Sequence, residues 1–189
     1  MTDTPPDADI LAMQRLAAGD DLALNEIMER WRDKVAAFLL RMTGNTSAAE
    51  DLALETFVRL YQHCASYTPS AAFASYLFRI AANLARNHQR WLQRHPTVAL
   101  EDAPEAARDC SGNGTSPDDS AETTESLHSL ETAIATLPAD LREAILLFTY
   151  EEMSYSQIAH TVKCSEKAVE TRIYRARQML RSLLKDLEA

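Results

Sequence analysis

Apolar residues recur every three or four positions along most of the 189-residue chain, the spacing that lines one face of a helix. Asp9 to Ala18 form a first short helix that stops before Gly19, a natural C-cap position. Asp20 caps a longer helix to about Met42, with the stripe Leu24, Ile27, Met28, Trp31, Val35, Phe38 and Leu39, and Gly44 ends it. Ser47 and Glu50 have the spacing of a capping box and open a helix to about Cys64. Ala49, Leu52, Ala53, Thr56, Phe57 and Leu60 make its apolar face. The turn Tyr67-Thr-Pro-Ser70 precedes a long helix from Ala72 to about Gln93, apolar along Phe73, Leu77, Ile80, Ala81 and Leu84. Leu127 to Leu137 form the next helix, ended by Pro138. Asp140 and Glu143 can then start another, running through Ala144, Ile145, Leu147 and Phe148 to about Glu151.

The last segments are the most informative. Ser154 and Gln157 form a capping box before a short helix whose stripe is Ile158, Ala159 and Val162. A turn at Lys163-Cys164 leads to Ser165, a good N-cap. The helix it opens is apolar along Val169, Ile173, Ala176, Leu180 and Leu183 and basic elsewhere. A short helix, a tight turn and a basic amphipathic helix make the pattern of a helix-turn-helix that reads DNA from its second helix. A plain helical hairpin with a solvated basic face is the bland reading. The agreement of capping, turn length and charge favours DNA.

The total charge argues the other way, because the formal net charge is −9. Its distribution resolves the conflict. Residues 101–125 hold eight acids against Arg108, a net −7, whereas residues 163–185 hold seven bases against Glu166 and Glu170, a net +5. From Thr56 to Leu100 there is no acid at all, while Arg59, Arg79, Arg86, Arg90 and Arg94 are present. Two basic faces flank an acidic tether with Pro96, Pro104, Gly112, Gly114 and Pro117, a composition unable to bury a core. A flexible coil of that length spans roughly 30 Å. Overall acidity disfavours strong independent DNA binding and suits a chain that meets DNA within a larger assembly. The fold class is therefore all-α, with two small helical domains, 1–95 and 126–189, joined by a flexible acidic linker over 96–125. No apolar run reaches the roughly 18 residues of a membrane span, the acidic N-terminus is no signal peptide, and Cys64, Cys110 and Cys164 have no metal-type or paired spacing. A cytoplasmic protein with no metal and no cofactor is expected.

The wording of both halves resembles a known family. Tyr155-x-x-Ile158-Ala159, then Val169-x-x-Arg172-x-x-Arg175-Ala176-Arg177-x-x-Leu180, is similar to region 4 of bacterial sigma factors. So is Leu137-Pro138-x-x-Leu141-Arg142-x-Ala144. Ala49-Glu-Asp-Leu-Ala-Leu-Glu-Thr-Phe-Val-Arg-Leu-Tyr61 resembles region 2.2. Phe73-x-x-Tyr76-Leu77-x-x-Ile80-Ala81-x-Asn83-x-x-Arg86-Asn87-x-x-Arg90 resembles regions 2.3 and 2.4. The chain thus resembles the small extracytoplasmic-function branch of the sigma-70 family, over about 9–95 and 127–185.

The resemblance implies partners and sites. Asp51, Leu54, Glu55 and Val58 would dock on the β′ clamp helices of bacterial core RNA polymerase, with the β flap as a further contact. Leu54 replaces the usual Gln. Tyr67, Phe73, Tyr76, Arg79, Asn83, Arg86, Asn87, Arg90 and Arg94 would melt and read the minus-ten element, with the loop from Tyr67 to Ala72 and Asn83 lining a base pocket. Rings interleaved with arginines suit a single strand, since bases stack on rings while cations track phosphates. Ala82 stands where the family is often basic, implying one phosphate contact fewer. Ser165, Lys167, Ala168, Glu170, Thr171, Arg172, Tyr174 and Arg175 would read the minus-thirty-five element. Glu170, where relatives carry a basic or small residue, implies an altered preference, since an acid can accept from cytosine N4. An anti-sigma factor is implied as a partner by resemblance alone.

The expected function is promoter recognition and transcription initiation with core polymerase, the chain itself being no enzyme. The alternative is a stand-alone helix-turn-helix regulator, which would need neither the region 2.2 helix nor the aromatic and basic one. A metal protein or enzyme built on His63, Cys64, His88 or His160 has no supporting spacing.

Overall fold

The computed structural model describes residues 8–68, 72–96 and 129–187. All regular structure among them is helical. Four α-helices make the N-terminal half: α1 (Ala8–Ala17), α2 (Leu22–Thr43), α3 (Thr46–Gln62) and α4 (Phe73–Arg94), with a 3-10 turn at Cys64–Ser66. The C-terminal half holds a helical segment α5 over 129–136, then α6 (Ala139–Thr149), α7 (Tyr155–Val162) and α8 (Glu166–Leu187). Most of the acidic stretch, with Cys110, lies outside the described residues. No helix among the described residues is long and apolar enough to cross a membrane.

The helices end where local chemistry ends them. Gly44 sits at φ 72°, left-handed, and its N–H reaches Leu40 O, closing α2 as expected of a glycine C-cap. Asp21, not the expected Asp20, stands at the start of α2 and its side chain makes no cap hydrogen bond; Asp20 contributes from one residue earlier, its carboxylate accepting from Leu22 N at 3.2 Å. The capping box at α7 is complete: Ser154 N donates to Gln157 Oε1 at 2.8 Å and Gln157 N to Ser154 Oγ at 3.2 Å. Ser165 Oγ accepts from Ala168 N at 3.2 Å and caps α8.

Two expected boxes are not formed. Asn45, not Ser47, caps α3, its side chain accepting from Ala48 N at 2.8 Å. Placing the cap two residues earlier leaves Ser47 within the first turn. At α6 no side chain caps the start. Glu143, instead of reaching back, is turned inward and only 1% exposed.

Ile27, Val35, Phe38, Leu39, Phe57, Leu60, Leu77 and Phe78 form the centre of the N-terminal half, all at or below 2% exposure. Asp9 fastens α1 to α2 by accepting from Arg30 Nε at 2.8 Å and Trp31 Nε1 at 3.0 Å. In the C-terminal half, Leu146, Leu147, Ile158, Val169 and Ile173 pack α6, α7 and α8 together. The two halves also touch. Helices α2 and α4 meet α6 and α7, and a single apolar core continues across them.

Candidate nucleic-acid interface

The outward face of α3 combines acids with apolar surface. Asp51 is exposed, and Leu54 and Val58 are 62% and 39% exposed. Glu55, half-buried, accepts from Arg59 Nε at 2.7 Å, which holds its carboxylate on the same side. Exposed aliphatics beside fixed carboxylates cannot bind phosphate. They can receive a protein surface carrying apolar and basic side chains.

On α4 the residues Asn83, Asn87, Arg90 and Arg94 are exposed along one side. Asn83 accepts from Arg86 Nη2 at 2.5 Å, and Arg90 lies 3.5 Å from Asn87 Oδ1. Tyr76 is half-buried, 4.9 Å from Tyr67 between ring centroids, with the Arg79 guanidinium over it at 5.4 Å. Burial pushes the Tyr76 hydroxyl above its usual pKa, and Arg79 opposes the shift, so the phenol stays neutral and able to donate. This ring-and-cation cluster can stack on a base and pair with phosphate.

Phe73 does not join it. The ring is fully buried, edge-on to Trp31 at 5.8 Å and to Tyr67 at 6.3 Å. It belongs to the core, and its contribution is to back Tyr67 rather than to touch DNA. Ala82 is likewise fully buried. In the loop before α4, residues 69–71 lie outside the described residues.

Arg86 is also drawn away from solvent, its Nη1 lying 3.6 Å from Glu143 Oε2 of α6. That distance supports an ion pair but exceeds a hydrogen bond. Consistently, both Glu143 oxygens lack a hydrogen-bond partner among the described residues. Burial pushes the Glu143 carboxyl above the usual carboxylate range, against the lowering effects of Arg86 and Arg172.

On α8, Ser165, Lys167, Glu170, Thr171, Tyr174 and Arg175 are exposed on the outer side, and Ala168 is half-buried. Tyr174 is 64% exposed. Lys167 Nζ donates to Glu170 Oε2 at 2.9 Å, raising the Lys167 pKa. Of these, Lys167, Glu170, Thr171 and Tyr174 border a cleft of about 360 Å³ between α7 and α8, lined by Tyr155, Ile173 and Arg177 besides. Arg172 does not share the face fully. It is partly buried and pairs with Asp140 at 3.6 Å, so it braces α8 against α6.

Sequence reasoning overlooked Arg142. From α6 it donates to Met42 O at 2.8 Å, to Leu137 O at 3.0 Å and to Ala135 O. The first is the free carbonyl at the end of α2, to which Gln89 Nε2 also donates at 2.7 Å. The available signal was chemical: an arginine inside an apolar helix beside two helix ends, whose last carbonyls lack partners.

Comparison with known proteins identifies this arrangement. The family Sigma-70 region 2 matches residues 27–95 and Sigma-70, region 4 matches residues 127–180. The chain is 30% identical to the RNA polymerase sigma-H factor of Pseudomonas aeruginosa over 183 residues, 93% of each. It is 31% identical to the ECF RNA polymerase sigma factor SigW of Bacillus subtilis over 182 residues, 93% of this chain and 96% of that one. The solved structure of CnrH in complex with the cytosolic domain of CnrY aligns with a TM-score of 0.69 and 25% identity, covering 95% of this chain and 99% of that one. The sigma factor RpoE of Bartonella quintana, solved with the anti-sigma factor NepR, shares the fold at a TM-score of 0.70 and 24% identity, covering 85% of this chain and 96% of that one. Both sigma-70 regions are matched in order and nearly the whole chain aligns with the relatives: the chain belongs to the sigma-70 family, in its extracytoplasmic-function branch.

Proposed function

We propose that this sigma factor divides its work among three faces. The outer face of α3, with Asp51, Leu54, Glu55 and Val58, docks on the β′ clamp helices of core polymerase. The β flap receives the C-terminal half. The exposed side of α4 holds the minus-ten element: Tyr67 and Tyr76 offer rings to an unstacked base, Asn83 and Asn87 offer amides, and Arg79, Arg90 and Arg94 hold phosphates. On α8, Lys167, Thr171, Tyr174 and Arg175 face the minus-thirty-five major groove, with Glu170 as the base-reading acid and Ser165 and Ala168 at the helix start. The domain boundaries are those of the sequence, 1–95 and 126–189 about the acidic linker.

The observation that carries this reading is the exposure of Leu54 and Val58 beside Asp51 and Glu55 on α3. A stand-alone DNA-binding regulator has no use for such a face. The chemistry of initiation belongs to the polymerase, and the chain adds no catalytic group. Such a role is carried out in the cytoplasm. An anti-sigma protein is a further partner of this reading, in keeping with CnrH, which was solved with the cytosolic domain of CnrY.

Fluorescence anisotropy of the labelled chain against purified bacterial core polymerase tests the assignment. Making Asp51 and Glu55 both Ala should weaken core binding about tenfold or more, a loss of ~1.4 kcal/mol or greater, while Tyr174→Ala leaves it unchanged. Equal core affinity for the double variant and the unsubstituted chain would refute the α3 assignment.

A further inference from the structure

The N-terminal turns of a recognition helix are the part that meets base edges in a helix-turn-helix. On α8 most polar groups there are already engaged. Ser165 Oγ accepts from Ala168 N at 3.2 Å, and Thr171 Oγ1 donates its proton to Lys167 O at 2.9 Å. Arg172 pairs with Asp140 of α6. Lys167 and Glu170 remain, one turn apart on the exposed face and both on the border of the cleft beside Tyr155 and Tyr174.

These two residues face outward as a joined pair. Lys167 Nζ donates to Glu170 Oε2 at 2.9 Å, and that bond raises the Lys167 pKa and keeps its ammonium charged. An ammonium carries three donors and a carboxylate about four acceptor sites, so each partner retains capacity for a further bond. Pairing also cancels charge. A lone carboxylate on this face would be repelled by the DNA phosphates, whereas the pair meets them as a neutral unit.

The pair matches one base-pair edge. In the major groove a C·G pair sets the cytosine N4 donor beside the guanine O6 acceptor, joined by their own hydrogen bond of about 2.9 Å. Lys167 and Glu170 offer the complementary donor and acceptor at the same spacing. An A·T pair also sets a donor beside acceptors. Its adenine N7 and thymine O4 lie on opposite sides of that donor, however, and thymine adds a methyl group. Guanine alone presents two adjacent acceptors, O6 and N7, to a single ammonium.

We propose that Lys167 and Glu170 read one C·G base pair of the minus-thirty-five element as a single unit, Lys167 holding guanine and Glu170 accepting from cytosine N4. The inference rests on the sigma-factor reading above and deepens its account of α8. Neither residue specifies the pair alone, because each is oriented by the other.

Selection by core polymerase carrying the chain, from a promoter pool randomised over the minus-thirty-five element, tests this by sequencing the bound templates. The unsubstituted chain should favour C·G at one position by about tenfold or more. Lys167→Ala and Glu170→Ala should each lower that preference to about threefold or less, at the same position and nowhere else. The double variant should lose no more than either single one, as expected of two residues acting together. Lys167→Arg should retain guanine, since arginine also reaches O6 and N7. Effects of the two substitutions at different positions would overturn the pair, as would a preference for A·T at the shared one. Weaker binding to all sequences alike, with the preferences unmoved, would overturn it too, by reducing the pair to a support for the helix. Each of those results leaves the sigma-factor reading intact. If the unsubstituted chain enriches no element with core polymerase, that reading falls and the pair with it.

Discussion

Glu143 shows how far one side chain can be moved from its ordinary chemistry. It is 1% exposed, Arg86 of α4 and Arg172 of α8 face it, and Asp140 lies near it on its own helix. Burial outweighs the two cations and raises its pKa. A raised folded-state value means that protonation favours the folded form. The contribution is complete below the unfolded carboxylate value and is lost as pH rises through the folded one. Cooling the comparison to one group, Glu143→Gln should show a smaller gain in melting temperature than the unsubstituted chain between about pH 7 and about pH 5. Identical pH profiles would mean that Glu143 stays ionised in the fold. The same scale separates two rings. Phe73→Ala, emptying a fully buried site, should cost about 3–5 kcal/mol in urea unfolding. Tyr76→Ala, at a half-buried site, should cost clearly less and fall mainly on promoter melting. Spacing alone could not tell these rings apart, because both lie on α4 three residues from each other and only the packing of Trp31 and Tyr67 decides between them.

The elements were legible in proportion to how local their chemistry is. The capping box of Ser154 and Gln157, the Ser165 cap and the glycine stop at Gly44 rest on residues within four positions, and each is found as the spacing predicts. Ser154→Ala should destabilise α7, and with it the docking of α8, by about 1 kcal/mol, read from thermal unfolding. The boxes at Ser47 and Glu143 failed for two reasons. Asn45 offered a better cap two residues earlier, and tertiary burial claimed Glu143. On α8 the residues expected off the apolar stripe lie on the exposed side, except that Arg172 is partly buried and used by Asp140. Lys167 partly neutralises Glu170 by their 2.9 Å pair. Glu170→Arg should therefore change which minus-thirty-five bases are selected from a randomised promoter pool, rather than abolish selection. An unchanged consensus would contradict a base-reading role for Glu170.

At the scale of the whole molecule, the division into two helical halves could be read from charge and composition, but their contact could not. It depends on residues far apart in sequence, Met42 with Arg142 and Ser75 with Thr161, that carry no local pattern. Arg142→Ala tests this part of the structure directly. It removes a donor from Met42 O at the end of α2, Ala135 O of α5 and Leu137 O in the turn before α6, and should cost about 1–3 kcal/mol of folding stability in urea. A cost near zero would mean that water or Gln89 replaces it.

On the function proposed above, the chain directs core polymerase to promoters through α3, α4 and α8 acting together. Run-off transcription with purified bacterial core polymerase, over a pooled library of upstream regions from the same genome, tests it most directly. Discrete start sites that require this protein and vanish when Asp51 and Glu55 are both Ala are the expected result. Sequence-specific DNA shifts by the protein alone, with no new transcripts, would contradict it.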